Sequence, residues 1–376
     1  MKKLIWLLIL LMLVMVACDK QDNEAKNLPQ LPDEVFVDSD YIKEEPEPEP
    51  EAEAEPETQE DKEKEDEKVD AYTGLYSPIT GLPIGDDLAK QRPVAVMLDN
   101  HYAARWQAGL SDADVVYEVL AEGLITRYLA IFQSHVPDVI GPVRSARPYY
   151  IQLALSYNPL YVHVGGSDQA FLDIKRLKMA DIDGMKAGYD VYYRTDHKYI
   201  PHNMYTSYTG ISKEASRRGY LEEVSYEGMF IDVTHHPISG DPGQYLKVIY
   251  KPSSSSDPTG YFIEFKYDED KQQYMRYVNG QAHKDETTEI HLAADNVVVL
   301  HAKHTVLDSA GRRAVDIVGQ GKGYYLNRGV SMPITWSKAG GYEVTKYYDM
   351  NGEELKLNPG KTWIQVISDS TTPIID

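Results

Sequence analysis

Residues 92–100 have the sequence RPVAVMLDN, and this stretch gives the first indication of the fold class. Residues 94–98 are all apolar, which is typical of a short strand buried on both faces of a sheet. Pro93 precedes this run, and the polar pair Asp99 and Asn100 follows it at the carboxyl end. A strand of this kind favours an α/β arrangement in which these polar side chains lie at the edge of a sheet.

A second apolar run follows the same pattern. Residues 161–164 predict another short buried strand, which leads into a Gly-Gly-Ser turn at 165–167 and then into a predicted helix. If the two strands are parallel, Asp99, Asn100 and Ser167 emerge at the same edge of the sheet. Ligands of open α/β sheets usually bind at this carboxyl edge, so we expect a ligand site there.

The segment between these strands predicts a β-hairpin. Residues 114–122 and 125–133 are largely apolar, and Gly123 in the first place of a two-residue loop suits a type II′ turn. The corresponding register pairs residue 120 with residue 127. It places Arg127 diagonal to both Glu118 and Glu122 on one face, where the three side chains form a cross-strand ionic network.

Capping signals predict two helices in the same half of the chain. The first spans residues 145–157, with Ser145 as the N-cap and Pro148 in the first turn. The second spans residues 207–218, and Gly219 is placed as its C-terminal stop.

Beyond about residue 226 the pattern changes to strand-like runs separated by turn clusters. The string GQGKG at 319–323 lies between two of these runs and is interpreted as a tight turn. We therefore predict a mixed α/β domain over residues 71–225, followed by a predominantly β domain over residues 226–376.

The N-terminus predicts a lipoprotein signal peptide over residues 1–18. Two lysines precede the apolar residues 4–16, a run too short to span a bilayer comfortably, and Met15-Val16-Ala17-Cys18 follows. Small residues before a cysteine resemble the lipobox of bacterial lipoproteins, which implies a lipid thioether on Cys18 and cleavage before it. We therefore expect a lipid-anchored protein on the extracytoplasmic face of the cell membrane, as in a Gram-positive bacterium. The alternative is an uncleaved signal anchor.

Residues 19–70 form a Glu/Pro-rich segment that we predict to be a disordered tether. They carry 22 acidic and 6 basic residues, a net charge of −16 out of −21 for the whole chain. Such a composition cannot bury enough apolar surface to fold, although the segment could instead bind cations or basic partners. The rest of the chain shows no basic stripe, so we expect no nucleic-acid partner. Cys18 is the only cysteine, which excludes an intramolecular disulfide.

Eight strings in the body form a recognisable set. In the first predicted domain they are RPVAVMLDN (92–100), QAGLSDADVVYEVLAEGLITRYLAIF (107–132), GPVRSARPYY (141–150), HVGGSDQA (163–170) and PHNMY (201–205). In the second they are NVVVL (296–300), GKGYY (321–325) and NPGKTWIQV (358–366). Together they resemble the YerB-like lipoproteins, a family of unknown function with an N-terminal and a C-terminal domain. The resemblance implies a two-domain mixed α/β fold and a membrane-anchored surface protein, but no established activity or catalytic residue.

The basic loop that contains Arg144 and Arg147 is the best candidate for a ligand site. Two guanidinium groups and the hydroxyl of Ser145 precede a predicted helix, whose N-terminal amides favour anions. The other candidate binding residues lie at the same predicted edge of the sheet: Gly165, Gly166, Ser167 and Asn100. In the alternative interpretation, Arg144 and Arg147 pair with the protein's own acids and fix a loop.

Three carboxylates are candidates for glycan cleavage: Glu122, Asp99 and Glu118. Glycoside hydrolysis commonly uses two carboxyl groups about 5–9.5 Å apart. On a strand, Glu118 and Glu122 have Cα atoms about 13 Å apart, too far for a simple pair. The sequence has no G-x-S-x-G or phosphate-binding glycine motif, and the pattern Asp196-His197 with His202 has no H-E-x-x-H helix to support it. We therefore assign no nucleophile, cofactor or metal.

Two functional hypotheses follow. The first is a non-enzymatic lipoprotein that binds an anionic envelope component, such as a cell-wall polymer, or a membrane partner protein through Arg144, Arg147 and the turn at 165–167. The alternative is a cell-wall glycan hydrolase or lyase that uses Glu122 or Asp99. A close pair of free carboxyl groups favours the enzyme, whereas carboxylates bound by arginines argue against it.

Overall fold

The structure is a computed structural model that describes residues 73–376, except Tyr189, Ser256, Asp257 and Thr259. The predicted signal peptide with Cys18 (residues 1–18) and the predicted tether (residues 19–70) lie outside the described residues. Within the described part, no helix is both long enough and apolar enough to cross a membrane.

The described residues form four α-helices, three short 3₁₀ helices and 24 β-strands. The α-helices are α1 (Asp86–Lys90), α2 (Pro148–Ala154), α3 (Asp168–Arg176) and α4 (Tyr208–Arg218), and the 3₁₀ helices are Tyr102–Ala104, Leu110–Asp112 and Leu155–Tyr157. The first twelve strands are β1 (Leu75–Tyr76), β2 (Pro83–Ile84), β3 (Val94–Asp99), β4 (Val115–Leu120), β5 (Thr126–Phe132), β6 (Leu160–His163), β7 (Ala180–Asp183), β8 (Tyr192–Arg194), β9 (Met204–Thr206), β10 (Asp241–Pro242), β11 (Tyr245–Lys251) and β12 (Tyr261–Asp268). The other twelve are β13 (Gln273–Val278), β14 (Gln281–Ala282), β15 (Ala293–Ala294), β16 (Asn296–Ala302), β17 (His304–Val306), β18 (Arg313–Val315), β19 (Gly319–Asn327), β20 (Val330–Lys338), β21 (Lys346–Tyr348), β22 (Glu354–Leu355), β23 (Thr362–Ser368) and β24 (Ile374–Ile375).

These elements confirm the predicted fold class. The α-helices all lie before residue 220, where they alternate with strands, and the described chain from Asp241 onward consists of strands and connections. A mixed α/β half is therefore followed by a predominantly β half.

Twelve strands form one large sheet that runs through both halves of the chain. Their order is β22-β21-β20-β19-β16-β23-β4-β5-β3-β6-β7, with β10 beside β20. β23 pairs in parallel with β4, and Thr362 lies opposite Val115. The two segments that the sequence predicts as separate domains therefore share a continuous sheet.

Helices α2 and α3 cover one face of the large sheet, and a second sheet together with α4 covers the other. Side chains alternate along β3, as the period of a strand requires. Ala95 and Met97 pack with α2 and α3 in one core. Val96 packs in the other core with Val248 and Phe265 of a six-stranded sheet, ordered β14-β13-β12-β11-β24 with β15 beside β13. β3 is consequently buried on both faces, as predicted.

The predicted cap of the second helix is confirmed, whereas that of the first is wrong. Ser207 is the N-cap of α4, where its hydroxyl accepts a hydrogen bond from the N–H of Gly210, and Gly219 ends the helix in the left-handed conformation. α2 begins instead at Pro148 with Arg147 as a cap that offers no side-chain hydrogen bond. The reason is that residues 144–146 are held in extended pairing with neighbouring strands, so Ser145 lies before the helix.

This difference predicts unequal effects for two matched substitutions. Ser207→Ala removes the cap hydrogen bond of α4 and is expected to lower the free energy of unfolding by about 1 kcal/mol. Ser145→Ala keeps the Ser145 carbonyl, which accepts a bond from Arg127, and is expected to change stability by less than about 0.5 kcal/mol. Urea unfolding of both variants tests this, and equal losses would contradict the cap assignment.

The hairpin forms as predicted, but its predicted register is wrong by one residue. Leu120 pairs with Thr126 rather than with residue 127, because residues 122–124 form the turn and the N–H of Ala121 bonds to the Ile125 carbonyl. Since side chains alternate, this slip turns Arg127 to the face opposite Glu118. The predicted Glu118–Arg127–Glu122 network does not form. Arg127 pairs with Glu122, whereas Glu118 pairs with Arg276.

The interpretation of GQGKG as a tight turn is also wrong. All five residues belong to β19, which pairs with β20 along its full length. Two of the three glycines permit a close approach to β16 rather than a turn: a Cβ on Gly321 would lie 2.6 Å from the His301 carbonyl oxygen, and a Cβ on Gly323 would lie 2.2 Å from the Val299 carbonyl oxygen.

Candidate ligand-binding site at the carboxyl edge of the sheet

Residues 141–147 lie between the ends of β3 and β6 at the carboxyl edge of the large sheet. β3 and β6 are parallel, as predicted. Beyond their paired residues, the N–H of Arg144 donates to the Met97 carbonyl at 2.8 Å, and the N–H of Val164 donates to the Arg144 carbonyl at 3.0 Å. The backbone of Arg144 is therefore fixed between the two strands, at the edge where a ligand site is expected.

Asp99 is the buried centre of this edge. Its Oδ2 atom lies 2.7 Å from His202 Nδ1 and 3.3 Å from Arg144 Nε, and its Oδ1 accepts a bond from the N–H of His101. Burial alone would raise the pKa of Asp99, but the hydrogen bond from His202 and the positive charge of Arg144 outweigh it and lower the pKa below its usual value. Asp99 is therefore an ionised acceptor.

Two histidine rings stack next to this carboxylate. The rings of His101 and His202 are 4.2 Å apart and within 7° of parallel. His101 Nδ1 accepts a bond from the N–H of Ala103, which leaves the proton of the neutral ring on Nε2. Burial and the neighbouring His202 lower the pKa of His101, so its ring is predominantly neutral near pH 7.

Arg105 adds a second guanidinium to the same edge. It donates to the side-chain and backbone oxygens of Asn100, at 3.0 and 3.1 Å, and its guanidinium lies 4.3 Å from the centre of the Tyr261 ring. Asn100 in turn donates to Thr126 at 2.7 Å. Asn100 thus binds protein atoms on both sides and orients Arg105, whereas the sequence indicated a direct ligand contact. We call Asp99, His101, Arg105, Arg144 and His202 the edge site.

Exposed apolar side chains flank the edge site. Among the described residues, the four most exposed large apolar side chains are Tyr199 (82%), Tyr102 (77%), Met185 (72%) and Ile200 (71%). Tyr102 contacts His101 directly, with ring centres 4.1 Å apart, and Tyr199 and Ile200 precede His202 in the chain. Met185 lies beside the Gly165 turn, since the backbone N–H groups of both residues bond to Asp183. A charged floor with an aromatic and aliphatic rim is therefore open to solvent.

Arg147 differs from Arg144 in how it is held. Glu122 accepts hydrogen bonds from Arg127 and Arg147, each at 2.6 Å. Arg147 is therefore paired with one of the protein's own acids, as in the alternative interpretation. Arg144 also has an internal partner in Asp99, but 27% of its side chain remains exposed, against 12% for Arg147. Arg144 is consequently the more accessible cation of the predicted loop.

The predicted Gly-Gly-Ser turn shapes the edge of the sheet, and its Ser167 hydroxyl is already hydrogen-bonded within the protein. Gly165 has a φ of +71°, which a residue with a side chain rarely adopts, and Gly166 lies alongside Ala146. Ser167 is the N-cap of α3 and accepts a bond from the N–H of Ala170 at 3.3 Å. The turn therefore positions α3 and the Arg144 segment.

The three candidate carboxylates occupy separate environments. Glu118 is completely buried and bonds to Arg276 at 2.6 Å, Glu122 bonds to two arginines, and Asp99 bonds to His202 and Arg144. Each is paired with basic side chains rather than with a second carboxyl group, whereas a glycosidase commonly needs two carboxyl groups that act together. This geometry does not favour the two-carboxylate mechanism.

The sequence did not identify His101, Arg105 and His202 as one group. The pattern Asp196-His197 with His202 was considered as a possible set of metal ligands. In the structure, His197 contacts Glu286 and His202 contacts Asp99. Within the described ranges, no group of three such side chains is arranged so that it could hold a metal ion. The usable signal was the order Asp99-Asn100-His101, which puts a titratable ring directly after the predicted edge.

Comparison with known proteins defines the class. The model described as "Protein of unknown function (DUF3048) N-terminal domain" matches residues 79–221, and the corresponding C-terminal domain model matches residues 254–364. The matches describe a class in which an N-terminal and a C-terminal part of unknown function occur in one chain. All five residues of the edge site lie in the first part. Strands of the second part complete the large sheet.

The chain belongs to the YerB-like (DUF3048) family, which confirms the predicted resemblance. It is 34% identical over 305 residues to the Bacillus subtilis (strain 168) protein named "Putative lipoprotein YerB", a match that covers 81% of this chain and 89% of the relative. The crystal structure of the YerB protein from Bacillus subtilis has a TM-score of 0.72 with this structure, at 33% identity. That match covers 80% of this chain and 99% of the crystallised chain.

Proposed function

We propose that this protein is a membrane-anchored lipoprotein that binds an anionic polymer of the cell envelope at the edge site. The lipobox-like sequence before Cys18 and the name of the Bacillus subtilis relative support the lipid anchor. The proposal places the folded part on the extracytoplasmic side, where cell-wall polymers are accessible.

The combination of accessible cations and exposed rings supports a polymer ligand. Arg144 and Arg105 carry two positive charges beside one buried carboxylate, so the floor of the edge site has a net positive charge even with both histidines neutral. Guanidinium groups bind carboxylates and phosphates through charge-assisted hydrogen bonds. Tyr102 and Tyr199 offer flat amphipathic rings, which suit contacts with sugar rings at a wet surface. The single observation that carries the proposal is this exposed rim around a cationic floor.

Binding to purified cell-wall sacculi tests the proposal. Full-length protein in mild detergent is mixed with sacculi, and the bound fraction is measured after sedimentation. Arg144→Gln is expected to weaken binding about tenfold or more, because a hydrogen bond to a charged group contributes about 1.5–3 kcal/mol. Added salt is expected to weaken wild-type binding, since the contact is partly electrostatic.

The matched control is Arg176→Gln, which removes an arginine from the far end of α3. Arg176 is exposed and pairs only with Asp173 of its own helix among the described contacts, so this variant should bind as the wild type does. Tyr102→Ala should weaken binding without changing the charge. Wild-type affinity in both Arg144→Gln and Tyr102→Ala would show that the edge site is not the binding surface.

A further inference from the structure

His202 combines a fixed ring orientation with a ring nitrogen to which no described residue is hydrogen-bonded. Its Nδ1 bonds to the ionised Asp99, which can only accept, so Nδ1 carries the proton and Nε2 of the neutral ring has a lone pair. No described residue hydrogen-bonds to Nε2, and 15% of the side chain is exposed. A buried carboxylate that orients a partly exposed imidazole in this way is the arrangement of a general base.

Groups that contact Asp99 and His202 hold this arrangement in place. The N–H of His101 holds the Asp99 carboxylate at 3.0 Å, and the stacked His101 ring fixes the plane of His202. Arg144 lies on the same carboxylate with part of its guanidinium side chain exposed. An accessible guanidinium next to a base can stabilise the oxyanion that forms when a carbonyl group is attacked.

Water is the nucleophile that this site can activate. The hydroxyl of Ser167 caps α3, and no Ser or Thr hydroxyl in the described chain hydrogen-bonds to His202. The site also lacks a protonated carboxyl group, because Asp99 is ionised, and this disfavours glycosidic bonds. Esters need no separate acid, since the base itself can return its proton to the leaving oxygen.

We propose that the edge site hydrolyses carboxylic esters, such as O-acyl groups, on the envelope polymer that it binds; this inference rests on the proposed function. His202 Nε2 takes a proton from water while the water oxygen bonds to the ester carbonyl carbon. Arg144 stabilises the resulting tetrahedral oxyanion. As the oxyanion collapses, the bond to the alcohol oxygen breaks, and that oxygen takes the proton from His202. The products are an alcohol on the polymer and a free carboxylic acid. The reaction consumes one water molecule and requires no oxidant or cofactor.

The test measures acetate released from O-acetylated sacculi by full-length protein in mild detergent. Wild-type protein is expected to release acetate above a no-protein control, and His202→Gln should lower the rate about 100-fold or more, since a general base typically contributes about 10²–10⁴-fold. His135→Gln alters an exposed histidine away from the edge site and should keep the wild-type rate. Asp99 acts as a positioning residue, so Asp99→Asn should lower kcat and leave KM nearly unchanged.

Chemical rescue separates a catalytic role from a structural one. Imidazole added to His202→Gly should restore part of the acetate release, which a merely destabilised protein would not show. If His202 variants fail to fold, Arg144→Gln, which keeps the His202–Asp99 pair, gives a second test: acetate release per bound protein should fall, and an unchanged rate per bound protein would overturn the hydrolysis. Sacculus binding without acetate release would overturn the hydrolysis and leave the proposed function standing. Acetate release by His202→Gln at the wild-type rate would also overturn the hydrolysis. Wild-type protein that neither binds sacculi nor releases acetate would overturn both the hydrolysis and the proposed function.

Discussion

Arg276→Met is expected to lower the free energy of unfolding by about 3–5 kcal/mol, because it leaves Glu118 as a buried charge without its partner. The side chains of Arg276 and Glu118 are both completely buried, and Arg276 Nη2 lies 2.6 Å from Glu118 Oε2. The Arg276 guanidinium also lies 4.4 Å from the centre of the Trp363 ring. Urea unfolding followed by tryptophan fluorescence gives the free energy directly.

The double variant Glu118→Leu with Arg276→Met is the control for this prediction. Replacing a whole buried ion pair by apolar residues often leaves stability unchanged or higher, so the double variant should be more stable than the single one. Because Glu118 belongs to β4 and Arg276 to β13, the single variant should weaken both halves in one cooperative transition. A loss below about 1 kcal/mol, or two separate transitions, would contradict the role of the pair.

Gly323→Ala is expected to destabilise the protein by about 3 kcal/mol or more. The added Cβ would lie 2.2 Å from the carbonyl oxygen of Val299 in the neighbouring strand β16. Overpacking a core usually costs about 1–3 kcal/mol, and here the atom that must move belongs to a hydrogen-bonded backbone rather than to a flexible side chain. Thermal and urea unfolding of the variant measure the loss.

Gly85→Ala is the matched substitution for Gly323→Ala. Gly85 precedes α1 with a φ of −66°, and a Cβ there would meet no atom within 4 Å. Its stability should therefore stay within about 0.5 kcal/mol of the wild type. Similar losses in the two variants would mean that the close approach of β19 to β16 is not what requires a glycine at position 323.

Local features of the sequence predicted the elements that build the edge of the sheet. The apolar run at 94–98 with Asp99 after it, the matching run at 161–164, and the cap and stop of α4 are each encoded within about a dozen residues. Period, capping and turn chemistry act over such distances, so these elements could be predicted from the sequence alone.

Contacts between distant residues could not be predicted in this way. Asp99 and His202 are 103 positions apart, and Glu118 and Arg276 are 158 positions apart. Without the topology, Glu118 had no visible partner except Arg127, and a one-residue error in the hairpin register was enough to make that partner look correct. The roles of Gly321 and Gly323 were missed for a related reason, because a close approach between strands leaves no local pattern.

The position of β23 sets the order in which this protein can be made. Thr362–Ser368 lies between β16 and β4, in the interior of the large sheet, yet every other strand of that sheet precedes it in the chain. A ribosome must therefore translate past residue 368 before the large sheet can become continuous. Until then β4 and β16 expose unpaired edges, which bind chaperones or other chains readily. A premature stop codon just before β23 should thus be as harmful as one near the start of the gene.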